Sequence, residues 1–326
     1  MPKNFYFVIL LGLVSLFSDM TYEGARGITG PYLFYLGAGA AIIGFASGFG
    51  EFIGYGLRLF SGWIADKTKK YWSLMFIGYA LNLLSVPALA FVNSWKLAVL
   101  LIILERTGKA LRTPARDTLL SYATFKMGRG IGFGIHEAMD QIGALIGPLI
   151  VALVVYLKMG YKSAFLVLFI PALVALSLLT FARITYPAPQ KFEKGFLELE
   201  IKGISKSFWW YLLGMCLVGA GFVDFPIIGY HLEKTSILSK DWIPILYALA
   251  MGVDALSAIF LGFLFDRIGL KTVILAIILS LGAVPLTFLG GITFIFLGMI
   301  LWGIGLGAQE SIMRAVIAQL VPPEKR

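Results

Sequence analysis

Asp19, Glu23 and Arg26 stand at i, i+4 and i+7 inside an otherwise apolar run, a spacing that puts all three on one stripe of a helix. Glu51 and Arg58 interrupt a second run. Glu105, Arg106, Lys109, Arg112 and Arg116 spread over about 120° of one face of another. Gly134, Glu137, Asp140, Gln141, Ala144 and Pro148 form a polar, small-residue stripe beside His136. Later in the chain come Asp224, Asp254, Gln309, Glu310 and Arg314. Charged groups embedded in apolar sequence can do two things. They can pair and fix helices against each other, or they can line a wet cavity where a carboxylate gains and loses a proton as solute binds. In the earlier part the acids at 19, 23, 51, 105, 117, 137 and 140 nearly balance the bases at 26, 58, 106, 109, 112 and 116, which favours pairing. Asp19, Glu23 and Asp140 lie near the middle of their runs and are the candidates for proton exchange. His136 could join a relay with Glu137 and Asp140. Arg106 and Lys109 have a second reading, as the site of an anionic solute.

The elements that carry these residues are apolar and long. The chain is 59% hydrophobic and 14% charged, outside the range of soluble domains. Ten runs are long enough to cross about 30 Å of hydrocarbon, roughly 5–36, 40–65, 72–92, 96–123, 131–157, 163–184, 208–232, 243–265, 271–289 and 292–320. The first run begins almost at once after Lys3 and shows no small-residue cleavage site before Asp19, so no cleavable signal peptide is expected. One cysteine, Cys216, excludes internal disulfides and a cysteine-rich metal site. The histidines, His136 and His231, are too few for a metal centre, and no Walker or dinucleotide motif is present, so no cofactor is expected. Trp72, Trp95, Trp209, Trp210 and Trp242 sit at run ends, as interfacial anchors do.

The net charge of +9 is distributed by loop. With the N-terminus inside, fifteen Lys and Arg fall on the inner side, against Lys96, Lys158, Lys162, Lys234 and Lys240 outside. That asymmetry is the mark of a multi-pass membrane protein with both ends cytoplasmic, in the cell membrane, and it needs no nucleic-acid partner. The polar stretch 185–207 reads as a cytoplasmic linker between residues 1–184, with six spans, and 208–326, with four.

A short signature recurs. Gly62-Trp-Ile-Ala-Asp66-Lys67 and Gly262-Phe-Leu-Phe-Asp266-Arg267 each close a run and open a basic loop, the first continuing to Lys69 and Lys70. Gly108 and Gly305, and Arg129 and Arg326, share a spacing of 197 residues. Both signatures fall on one side of the membrane, so the repeat is parallel and not inverted. The second copy stops where a fifth span would begin, which leaves about fifty to sixty residues, two spans, to be expected from a longer form or a separate polypeptide.

The doubled signature resembles the loop motif of the major facilitator superfamily. The resemblance implies an all-α integral membrane bundle of two parallel-related six-helix halves, the second here cut to four. It places Gly62, Asp66, Lys67, Lys70, Arg116, Asp117, Gly262, Asp266 and Arg267 at an inner gate, with Gly62 letting its helix approach a neighbour closely. In the family the loop Asp also faces the start of the eleventh helix, which would lie beyond residue 326. Gly143-Ala-Leu-Ile-Gly147-Pro148 partly resembles an element of proton-driven drug exporters, and close packing of a kinked helix accounts for it equally. Arg106 falls where exporters place an arginine. The implied function is secondary active transport of a small organic solute, proton-coupled efflux, with lipid bilayer, solute and protons as partners and no enzymatic activity. The alternatives are uptake of an organic anion with protons, an integral-membrane enzyme acting on lipid headgroups, and a remnant that transports nothing.

Overall fold

A computed structural model describes residues 3–124, 129–189, 206–313 and 316, and among these it is helical with no strand. In hydrocarbon a backbone N–H or C=O finds no water, so each apolar run closes its hydrogen bonds within a helix. The helices are α1 (Lys3–Tyr35), α2 (Ala40–Thr68), α3 (Tyr71–Ala88), α4 (Trp95–Thr124), α5 (Arg129–Tyr156), α6 (Gly160–Val167) and α7 (Phe169–Thr185), then α8 (Lys206–Gly221), α9 (Phe225–Thr235), α10 (Trp242–Ile268), α11 (Leu270–Leu281), α12 (Ala283–Leu289) and α13 (Ile292–Glu310). Nine stretches among the described residues are long and apolar enough to cross a membrane. The tenth expected span, α4, has the length at 30 residues but carries too many charges to qualify by composition. The expected linker 185–207 lies mostly outside the described residues.

Three expected spans are broken rather than continuous. α6 ends at Val167 and α11 at Leu281, each four residues before a proline, Pro171 and Pro285. Proline has no N–H to return to the carbonyl four residues back, and the ladder opens there. The third span parts between Gly221 and Phe225. Asp224 caps the restart, its carboxylate accepting the Phe225 N–H at 2.9 Å, and Pro226 sits in the first turn where its missing donor costs nothing. Among the described residues, three other than glycine take left-handed backbone angles at helix ends: Lys69, Lys158 and Ser236.

The chain forms two compact units. The first comprises Met1–Lys194 with Asp224–Ala248, and the second Gly195–Val223 with Leu249–Arg326. Within the first, one apolar cluster holds Phe7 to Val14 of α1 with Tyr71, Met75, Leu119 and Leu179, and another holds Ile28 to Leu33 of α1 with Ile43, Leu89, Val151 and Phe165. The charged residues of α1 and α4 occupy the band between these clusters. Trp72, expected at the interface, is buried in the first cluster with its ring edge-on to Phe7 at 6.2 Å, whereas Trp209 and Trp210 are exposed. α1 crosses α5 at Gly143 and Gly147, where an added Cβ would stand 3.0 Å from the Leu16 carbonyl carbon and 2.9 Å from that of Met20. Backbone-to-backbone contact of this kind is what small residues give membrane helices.

The second unit gathers Leu261 and Phe265 of α10, Val273 and Ala276 of α11, and Ala308 and Ile312 into its core. Trp302 donates its indole N–H to the Val223 carbonyl at 2.8 Å. The repeat seen in sequence is also a repeat of packing. A Cβ on Gly108 of α4 would meet the backbone of α3 at Gly78, 2.6 Å away, and one on Gly305 of α13 would meet Ser280 of α11 at 2.7 Å.

Candidate functional site

The bases of α4 recur at residues 106, 109, 112 and 116, a rise of about 15 Å along the helix. Each faces a carboxylate of another helix. Arg106 Nη2 lies 3.3 Å from Glu51 Oε1 of α2, and Lys109 Nζ 3.7 Å from Glu23 Oε1 of α1. Arg112 Nη2 lies 4.0 Å from Asp19 Oδ1 of α1, and Arg116 Nη1 3.5 Å from Asp140 Oδ2 of α5. All four bases thus stand within 4.0 Å of an acid from α1, α2 or α5.

Contacts are tighter where α1 meets the α9 restart. Arg26 Nη2 reaches Glu51 Oε1 at 2.8 Å and Asp224 Oδ1 at 2.5 Å, so one guanidinium ties α1 to α2 and to the cap of α9. One turn away, Tyr247 donates its hydroxyl to Glu23 Oε2 in a short hydrogen bond. Both contacts join residues about two hundred positions apart, and both lie within the first unit. Arg106 also approaches its neighbour Glu105, Nε to Oε2 at 3.3 Å, while Asn82 donates its amide to Glu105 Oε1 at 2.6 Å.

Toward the other end of the band the cations are held differently. Arg112, with 1% of its side chain exposed, lies over the Tyr79 ring at 4.3 Å and near Tyr22 at 5.6 Å. Its Nε and Nη1 make no hydrogen bond among the described residues, so aromatic faces do much of the work of a carboxylate. Arg116 donates to Asp117 at 2.9 Å and to Ser15 Oγ at 3.1 Å. Ser15 Oγ and His136 Nε2 are 3.0 Å apart, and His136 Nδ1 is 3.5 Å from Asp140 Oδ2. Asp140, His136 and Ser15 thus lie side by side where α5 meets α1, with the hydrogen bond of the set between Ser15 and His136. Glu137, expected in that chain, is exposed and makes no ion pair or hydrogen bond among the described residues. Asp19 Oδ1 and Asp140 Oδ1 are buried and accept no hydrogen bond there.

Asp254 is buried on α10 and Glu310 half-buried at the end of α13, both in the second unit. At the loop motif, Asp66, Lys67, Lys70, Asp266 and Arg267 are exposed. Lys67 lies over the Trp63 ring at 4.8 Å and Arg267 over the Phe263 ring at 4.2 Å, the same i, i+4 cation–π pair in both copies. Arg116 and Asp117 pair with each other and Arg116 turns inward to Asp140, and among the described residues no ion pair joins either of them to Asp66. The expected close approach at Gly62 is also absent. A Cβ there would stand 3.6 Å from Pro114, an ordinary contact, and at Gly262 it would meet open space.

Four participants were not anticipated from sequence: Ser15, Tyr22, Asn82 and Tyr247. Asn82, an amide in mid-span, and Tyr22, one turn from Asp19, carried a signal of their own. Ser15 and Tyr247 carried none, because only tertiary packing brings them to His136 and Glu23. A cavity beside Arg26 and Arg106, lined also by Tyr22, Ser47, Glu105 and Asp224, has a volume of about 30 Å³ for the centres of water-sized molecules. That is room for about two waters and not for an organic solute.

A model of the Major Facilitator Superfamily matches residues 10–326. An uncharacterized protein of Mycobacterium tuberculosis is 39% identical over 327 residues, covering 98% of this chain and 80% of its own length. An uncharacterized MFS-type transporter of Methanocaldococcus jannaschii is 31% identical over 302 residues, 88% of this chain and 72% of its own. A shorter match, 33% over 115 residues and 35% of this chain, is to 28% of the multidrug resistance protein MdtH of Photorhabdus laumondii. Among solved structures, a bacterial homolog of the human lysosomal transporter Spinster superposes with a TM-score of 0.76 at 15% identity, covering 100% of this chain and 77% of that one. The nucleoside transporter NupG does so with a TM-score of 0.76 at 16% identity, covering 98% and 84%. At such identities the likeness is one of fold.

Proposed function

The chain belongs to the major facilitator superfamily and is a multi-pass membrane transporter, and from that premise we propose that it exports a small organic solute in exchange for protons by alternating access. The reading places it in the cell membrane with both termini cytoplasmic, residues 185–207 linking the two halves. Asp19, Glu23 and Asp140 carry the exchangeable protons, Arg112, Lys109 and Arg116 answer their charge, and Asp66 and its loop serve the inner gate.

The observation that supports proton coupling is the gradient of pairing along the charged band. Arg26 holds its acids at 2.8 and 2.5 Å, whereas the pairs at Glu23, Asp19 and Asp140 stand at 3.7, 4.0 and 3.5 Å. Asp19 and Asp140, that far from their cations and each with one oxygen lacking a donor, can take up a proton without breaking a hydrogen bond, whereas Glu23 keeps the Tyr247 hydroxyl on its other oxygen. Export is supported by the short match to a multidrug resistance protein. Occupation of all four α4 bases by carboxylates weighs against the anion-uptake reading.

The test is transport in proteoliposomes under an imposed pH gradient, with counterflow panels of organic cations and organic anions. Asp140→Asn and Glu23→Gln should insert normally, abolish gradient-driven transport and retain counterflow. Gradient-driven transport unchanged in both variants sinks the mechanism, and counterflow confined to anions favours the uptake symporter.

A further inference from the structure

We propose that the cavity between the ends of α1, α5 and α6 and the α9–α10 turn, remote from the Asp66 loop, binds the headgroup of an anionic phospholipid. Its volume is about 660 Å³ for the centres of water-sized molecules, and Tyr35, Tyr156, Lys158, Lys162, Lys240 and Asp241 line it. Three of the five cations that the sequence places on this face of the protein thus converge on one cavity. The charge asymmetry of membrane proteins leaves this side poor in Lys and Arg, so such a concentration is not a by-product of topology.

Two of the three cations have no carboxylate. Lys158 makes no ion pair among the described residues, and Lys162 donates only to the neutral Asn93 Oδ1, at 2.6 Å. Lys240 alone is compensated, by Glu233 Oε1 at 2.7 Å, whose other oxygen accepts the Tyr161 hydroxyl at 2.9 Å. Asp241 is the one acid in the lining, and the balance remains positive.

The backbone at Lys158 is a second observation. α1 and α5 end in the same motif, in which two successive N–H groups fold back onto the last turn: Gly37 to Phe34 and Ala38 to Leu33 after α1, Lys158 to Val155 and Met159 to Val154 after α5. The first uses glycine at the left-handed position, Gly37 with φ of 88°. The second puts Lys158 there with φ of 57°, a conformation strained for any residue with a Cβ. Lys69 and Ser236 take the same position at other helix ends, and at this one the side chain lines the cavity.

The surroundings select a lipid over a soluble anion. Leu149, Leu153 and Tyr156 lie at i, i+4 and i+7 on α5, all exposed, and this apolar stripe runs along the helix to the lysines. With the exposed rings of Tyr35 and Tyr156 at the rim, it offers an acyl chain a track directly below the headgroup. The inference rests on membrane insertion alone and is independent of proton coupling or transport direction.

The experiment is native mass spectrometry of the purified full chain in detergent, titrated with phosphatidylglycerol or phosphatidylcholine, with glycerol phosphate as soluble competitor. Lys158→Gly suits the left-handed backbone and keeps the fold, and Lys162→Ala removes an exposed side chain. Phosphatidylglycerol should be retained in preference to phosphatidylcholine, with affinity falling about 5-fold for each variant and about 30-fold for the pair. Lys96→Ala, on the same face but outside the cavity, should bind as the unaltered chain does. Equal retention of both lipids, or a double variant that binds phosphatidylglycerol normally, overturns the proposal. Displacement by glycerol phosphate at concentrations matching the lipid also overturns it, in favour of a soluble anion.

Discussion

Replacing Gly30 by alanine should loosen α9 from α1 without unfolding either. The added Cβ would overlap the carbonyl oxygen of Pro226 and stand 2.7 Å from its carbon, where ordinary contact begins at 3.4 Å. The obstacle is backbone in the first turn of a short helix, with no flexible side chain to swing aside, so α9 must retreat by roughly 1 Å. That movement stretches the 2.5 Å contact from Arg26 to Asp224, the residue just before α9. Overpacking of this kind costs about 1–3 kcal/mol, which raises the open fraction of α9 by about 5- to 150-fold. Hydrogen–deuterium exchange followed by mass spectrometry reads it directly, as faster exchange of the amides of residues 225–235 with α4 and α5 unchanged. Gly44→Ala is the control, because its Cβ would meet Ile227 of the same helix at an ordinary 3.6 Å and should leave α9 protected. Exchange of α9 within twofold of the unaltered chain refutes the reasoning. So does an equal loss of protection in every helix, which would make the defect global.

Gly147→Ala presses the same kind of obstacle into the α1–α5 crossing and should lower stability in detergent by about 1–3 kcal/mol, seen as a lower thermal midpoint. Gly48→Ala, whose Cβ would meet nothing within 4 Å, should not. Asn82→Leu leaves Glu105 Oε1 buried without the 2.6 Å amide donor and should cost about 1–3 kcal/mol. A thermal midpoint equal to or above that of the unaltered chain would show that Glu105 does not need the bond.

The spans were legible because ten long apolar runs allow few other solutions in a bilayer, and the doubled signature fixed the relation between halves. The breaks were less so. Pro171 and Pro285 sit in runs hydrophobic enough to read as continuous, and only the missing N–H of each decides where the helix stops. The charged band was half legible. Stripe geometry on α1 and α4 identified the participants, but which acid meets which base depends on helix crossings, and Arg26 finds Asp224 from 198 residues away. Glycine misled in one place and informed in another. Gly62, singled out by motif, touches nothing closely, while Gly143 and Gly147, where two explanations were open, are occupied by packing against α1. Sequence spacing shows that a glycine recurs, not which backbone it faces.

The boundary of the first compact unit bears on how the protein is made. Because that unit takes in Asp224–Ala248, it is unfinished when the ribosome has completed the sixth span. Arg26 then has Glu51 but not Asp224, and Glu23 lacks the Tyr247 hydroxyl, until the next two spans have begun to enter the bilayer. The far end of α1 is therefore the last part of the early half to lock. During that interval its guanidinium and carboxylate are incompletely paired, and the entry of residues 224–248 is what completes them.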